Sequence, residues 1–167
     1  MKSFLIPILA ASSVCALHAQ DILSKETLQA YNSVKKNLLA AAAAMPEDAY
    51  SFKATPDVRT FGALIGHIAE AQTRTCSVLN GAPRQAGAAS KTAKADLVNA
   101  LQSSFEECDK VYGGLTDTIA LQTIKNPRGE RSKLGMLVGN LIHDNEEYGY
   151  LAVYLRLKGI VPPSSAK

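Results

Sequence analysis

The sequence predicts an all-α protein folded as a four-helix bundle, and three observations carry that prediction. Four stretches repeat apolar residues at steps of three and four. None alternates with the period of a strand. Each is closed by proline, glycine or a capping residue. In a chain of 167 residues, helices of twenty-odd residues bury their apolar stripes against one another, as one bundle.

The first element is not part of the bundle. Met1-Lys2-Ser3 is a short positive start, followed by the apolar run Phe4 to Leu17 and then His18-Ala19-Gln20-Asp21. This is the pattern of a secretory signal peptide, with cleavage expected after Ala19 and a mature domain covering residues 20–167. Ser12-Ser13-Val14-Cys15 is a poor lipoprotein cleavage box, and no later run is long enough to cross a bilayer. The protein is therefore expected to be exported, periplasmic or secreted, without a membrane anchor once the signal is removed.

The first bundle helix spans about Ile22 to Ala44, with Leu28, Tyr31, Val34, Leu38 and Ala42 on one face, and Met45-Pro46 closes it. The second opens at Thr55-Pro56, a capping residue followed by proline, and carries Phe61, Leu64, Ile65, Ile68, Ala71 and Leu79 before Asn80-Gly81-Ala82-Pro83. A connection rich in Ala, Gly and Pro leads to the third, from Lys91 or Thr92 to Gly113-Gly114, with Leu97, Leu101, Phe105, Cys108 and Tyr112 inward. Leu115 to Arg131 is a looser segment with turn chemistry at Asn126-Pro127-Arg128-Gly129. The fourth runs from about Ser132 to Lys158 and ends at Gly159 and Pro162-Pro163.

Composition excludes some functions. Aromatic residues make up 6% of the chain and Trp is absent, which argues against a stacking platform for single-stranded nucleic acid. The net charge is +3 with no obvious basic face, so nucleic acid is not an expected partner.

The fourth helix carries the informative pattern. Met136, Asn140, His143, Glu147, Tyr150 and Tyr154 form one line along it, apolar or aromatic at the ends and polar in the middle. Its neighbour, Leu134, Leu137, Leu141, Tyr148, Leu151 and Leu155, is core. Polar groups on a core-facing edge destabilise a fold by ~1–3 kcal/mol each unless they find partners. His67 lies on the apolar edge of the second helix between Leu64 and Ala71. An i, i+4 pair on one helix with a ligand from a facing one is how bundles build metal sites. His67, His143 and Glu147 are thus candidate ligands for a divalent ion, a set that suits Zn, Ni or Fe(II). Asn140 and Tyr150 are candidates for the surrounding shell. The same residues also read as hydrogen-bonded edge histidines beside a solvated Asp-Asn-Glu-Glu face.

Thr60-Phe61-Gly62-Ala63-Leu64-Ile65-Gly66-His67-Ile68-Ala69-Glu70 resembles the second helix of the DinB/YfiT-like family, and Asn140-Leu141-Ile142-His143-Asp144-Asn145-Glu146-Glu147-Tyr148-Gly149 resembles its last helix. The ending from Tyr154-Leu155-Arg156 to Gly159-Ile160-Val161-Pro162-Pro163 is similar to the family's C-terminus. The resemblance implies a bundle of up-down-down-up topology, dimers among its members, and three His ligands for a divalent metal. His67 and His143 match the first two; the third is Glu147 here, so the resemblance implies a two-His, one-carboxylate variant. Some members resemble thiol-dependent S-transferases or isomerases, in which the metal makes a small thiol nucleophilic. The function implied is a metal-dependent enzyme, hydrolase or S-transferase-like, on an unidentified small molecule. The alternative is an exported bundle that binds a ligand or partner without chemistry.

The implied topology also bears on Cys76 and Cys108. In an antiparallel hairpin of the second and third helices they would lie ~6 Å and ~24 Å from the connecting loop, too far apart to bond. In the implied parallel arrangement both lie ~16 residues into their helices, at nearly equal height. A Cys76–Cys108 disulfide is then expected in an oxidising compartment, with two buried free thiols as the other reading.

Overall fold

Proline and the capping residues set where the helices begin and end in the computed structural model, which describes residues 21–126 and 129–166. The expected signal peptide, residues 1–19, lies outside them. The order is α1 (Ile22–Ala44), a 3-10 turn (Glu47–Ser51), α2 (Phe61–Leu79), α3 (Lys94–Gly113), a one-turn α4 (Asp117–Ala120), β1 (Thr123–Asn126), β2 (Gly129–Ser132), α5 (Lys133–Leu157) and a final 3-10 turn (Pro163–Ser165). α1, α2, α3 and α5 are the four predicted helices.

Two boundaries differ from the sequence reading, and the looser segment holds α4 and a hairpin that the reading did not contain. α2 starts at Phe61, not at Thr55-Pro56: Thr60 is the N-cap, its hydroxyl accepting from the Ala63 N–H at 3.0 Å. The Thr55 carbonyl instead accepts from Val58 N–H in a separate turn, and Val58, the one apolar residue between Asp57 and Thr60, is exposed and adds nothing to the core. α3 starts at Lys94, with Lys91 still in a turn closed onto Ala88. The looser segment contains an antiparallel hairpin in which Asn126 pairs with Gly129 and Thr123 with Ser132. β2 is almost wholly exposed, so it shows no inward-outward alternation to read. Pro127 and Arg128 of its expected turn lie outside the described residues.

Ser132 caps α5 by accepting from Gly135 N–H. At the other end Gly159 adopts φ +73°, and the N–H groups of Ile160 and Gly159 donate back to the Leu155 and Arg156 carbonyls. That paired closure is the Schellman motif, and it explains why glycine stands there.

α1 and α2 each pack against both α3 and α5. Side-chain pairs give the directions. Tyr31 of α1 reaches Asp109, while Lys94 reaches the Ala43 and Met45 carbonyls at the far end of α1, so α1 and α3 are antiparallel. Leu97 lies against Gly62 and Gly66, and Cys108 bonds Cys76, so α2 and α3 are parallel. Phe61 meets Tyr154 and Gln72 meets Asn140, so α2 and α5 are antiparallel. The topology is up-down-down-up.

The core fills the middle of this arrangement with Leu38, Phe61, Ile65, Leu97, Leu101, Phe105 and Leu151. The Tyr31 ring stacks on Tyr112 with centroids 3.9 Å apart. The α2–α3 seam is held by a covalent tie. Cys76 and Cys108 are fully buried and joined, with Cα atoms 5.0 Å apart. The crossover between these parallel helices is pinned by two carboxylates. Glu70 accepts from the N–H groups of Ala86, Ala88 and Ala89, and Glu107 pairs with Arg84 at 2.9 Å and accepts from Asn80. A Cβ on Gly66 would stand 3.1 Å from the Ala88 carbonyl oxygen, so the crossover's close approach favours glycine there.

Candidate metal centre

His143 and Glu147, one turn apart on α5, face His67 across the α2–α5 seam. The antiparallel packing that pairs Gln72 with Asn140 sets His67 and His143 at one height. Their Nε2 atoms are 3.1 Å apart, and Glu147 Oε1 lies 3.5 Å from His67 Nε2 and 3.7 Å from His143 Nε2. The three atoms form the one cluster of possible metal-binding groups among the described residues. Ligands ~2.0–2.2 Å from a tetrahedral ion stand about 3.3–3.6 Å from one another, and the observed edges of 3.1, 3.5 and 3.7 Å lie within about 0.2 Å of that spacing. Glu147 is buried and its second oxygen, Oε2, has no hydrogen-bond partner. A buried carboxylate oxygen without a partner costs free energy, and a cation within the triangle would offset it.

The surroundings act on the three donors in different directions. Burial, reinforced by the positive charges of Arg59, His143 and Arg74, pushes the His67 pKa down and so favours the neutral ring. His143 is pushed up, chiefly by its Nδ1 contact with Asp144 at 3.4 Å. A carboxylate on the outer nitrogen fixes the tautomer and turns Nε2 toward the cluster. Burial raises Glu147 as well, and raises Asp144 to about 6.

Behind His143 lies a buried polar row. Asn140 donates one amide hydrogen to Asp144 Oδ2 at 3.0 Å and the other to Gln72 Oε1 at 3.1 Å. Gln72 Oε1 in turn lies 2.9 Å from the disulfide sulfur of Cys108. Asn140, a candidate for the surrounding shell, thus acts through Asp144 and touches none of the three donors. Tyr150 is a correction. It is exposed, and its hydroxyl donates to Glu146 at 3.0 Å, away from the cluster. At 100° per residue it falls 20° beyond His143; His143 is already half-buried at the rim, so the next side chain in that direction turns outward.

The sequence reading missed Asp144 and Gln72, yet both carried a signal. Asp144 is seven residues from Leu137 and from Leu151, in the middle of the core row. Gln72 follows Ile65 by seven and Ile68 by four. Reading Asp144-Asn145-Glu146-Glu147 as one acidic run hid the alternation in it: Asp144 and Glu147 point in, Asn145 and Glu146 out.

Fold and cluster together define a helical bundle with an inward-facing trio able to hold a divalent ion. Residues 30–151 match the DinB superfamily, and the chain belongs to it. Solved structures show the same fold. A DinB-like protein of Bacillus subtilis superposes with a TM-score of 0.66 at 19% identity, covering 80% of this chain and 92% of its own. A DinB-like protein of Bacillus cereus gives 0.70 at 14%, covering 83% and 95%. A conserved protein of Enterococcus faecalis gives 0.63 at 17%, covering 83% and 96%. No curated protein matches the chain significantly.

Proposed function

We propose that this protein is a metal-dependent enzyme, hydrolase or thiol S-transferase in type, with His67, His143 and Glu147 as ligands of one divalent ion. The observation that carries the reading is the convergence of three donor atoms on one point, with Glu147 Oε2 left buried and unpartnered beside them. When bound, such an ion supplies Lewis-acid chemistry, lowering the pKa of water or a thiol and polarising a carbonyl. The chain's own residues prepare for it. Asp144 orients the His143 ring through Nδ1. Asn140 and Gln72 hold Asp144 in a water-poor interior. The half-buried imidazoles leave the outer side of the trio open to a small molecule.

The reading includes export. The N-terminal pattern has the order of a signal peptide, and a buried disulfide suits an oxidising compartment. Among the described residues no helix is long and apolar enough to cross a membrane.

Thermal unfolding of the untagged, EDTA-treated protein tests the metal reading. An ion that binds only the folded state stabilises it by ~2.7 kcal/mol at a hundredfold excess over Kd. Addition of Zn or Ni is expected to raise Tm in the native protein and not in His143→Ala. An unchanged Tm in the native protein would leave the bundle as a non-catalytic binding module.

A further inference from the structure

A cleft of about 500 Å³ opens on the outer side of His67, between the start of α2 and the crossover loop. His67 is the member of the trio that lines it, so one end of the cleft lies at the candidate metal centre. Its floor is apolar or small, with Tyr50, Leu97 and Ala63. Its charged groups are Arg59, Lys91 and Glu70. They are not equivalent. The Glu70 carboxylate is saturated by three backbone N–H groups of the crossover. Arg59 and Lys91 form no ion pair among the described residues. The lining therefore presents two cations without ion-pair partners, one preceding the α2 N-cap and one on the crossover, and one carboxylate whose oxygens are taken up by backbone N–H groups.

We propose that this cleft binds a small organic anion by its carboxylate or phosphate group. Arg59 and Lys91 hold the oxyanion, while the apolar floor takes the body and directs its other end toward His67. The guanidinium offers paired donors that match either oxyanion, and the ammonium adds a point charge. The assignment of the reacting end rests on the metal-enzyme reading; the anion site itself does not.

Isothermal titration of the full mature chain, EDTA-treated and at low salt, tests it with succinate and with inorganic phosphate as probes and uncharged succinamide as control. Succinate or phosphate is expected to bind, the stronger arm telling which oxyanion the site prefers, and succinamide is not. Arg59→Gln and Lys91→Gln should each weaken binding about tenfold, a loss of ~1.4 kcal/mol, with Arg59→Lys recovering part of it. Circular dichroism confirms folding, and a Zn titration of Lys91→Gln should match the native protein. Absence of binding by both probes, affinity untouched in both Gln variants, or binding that appears only after Zn is added would each overturn the proposal. Anion binding in a protein that takes up no Zn would uphold the cleft and refute the metal reading, which separates the two failures.

Discussion

α2 contributes to two seams of opposite character. Toward α3 it is tied: Leu97 against the glycines at positions 62 and 66, the crossover against Gly66, and a buried disulfide at the far end. Toward α5 the packing is interrupted by His67, Gln72, Asn140, Asp144, His143 and Glu147, with an orphaned oxygen and an orphaned amide nitrogen among them. The first seam fixes the helix; the second uses the rigidity so obtained to hold donor atoms at fixed separations. Polar groups at such a seam lower stability, and a functional site is where that loss is expected.

The comparison is sharpened first by removing the covalent tie. Cys76→Ala with Cys108→Ala should lower stability by about 3 kcal/mol, a fall in Tm of roughly 6–12 °C for a domain of this size, read by thermal unfolding without reductant. The next largest effect is at Gly66→Ala. The added Cβ meets the Ala88 carbonyl, a backbone atom that cannot swing aside, and a loss of ~1–2 kcal/mol in urea unfolding is expected. On the polar seam the sign should reverse. Replacing Glu147 with Met removes a buried, half-partnered carboxylate, so the metal-free protein should be unchanged or more stable by up to ~1 kcal/mol. A marked destabilisation would instead make Glu147 a structural ion-pair partner of the two histidines.

The smallest effect concerns the crossover. Hydrogen bonds from Arg84 and then Asn80 hold the Glu107 pKa below its ordinary value of 4.5. A group depressed in the folded state contributes stability above its unfolded pKa and loses it as pH falls through the folded value. Glu107→Gln should therefore be less stable than the native protein at pH 7, with the difference shrinking below about pH 4.5. Equal differences at pH 7 and pH 3 would show that the carboxylate's charge plays no part.

The bundle was legible because helical period and caps are local. Ser132, Gly159 and Met45-Pro46 mark boundaries that the structure places within a residue or so. Thr55-Pro56 misled because a threonine before proline satisfies the local rule for a helix start, whereas the actual start depends on where Phe61 reaches the core. The β1–β2 hairpin was invisible because an exposed ribbon has no face to bury. His67, His143 and Glu147 were readable as polar gaps in apolar rows, and they do converge. Asp144 was hidden in an acidic run, and Gln72 takes its importance from Asn140 and Cys108 on neighbouring helices. The cleft cations, Arg59 and Lys91, are far apart in sequence and adjoin one cleft only because α2 and α3 run parallel.

The central claim is that the α2–α5 seam holds a metal ion, and the metal content of the mature, untagged protein tests it most directly. Elemental analysis after purification without a nickel column should give about one Zn, Ni or Fe per chain. His143→Ala should give none, and Glu147→His should retain the ion more tightly against EDTA. A native protein that carries no metal, and takes up none when Zn or Ni is supplied, would contradict the account.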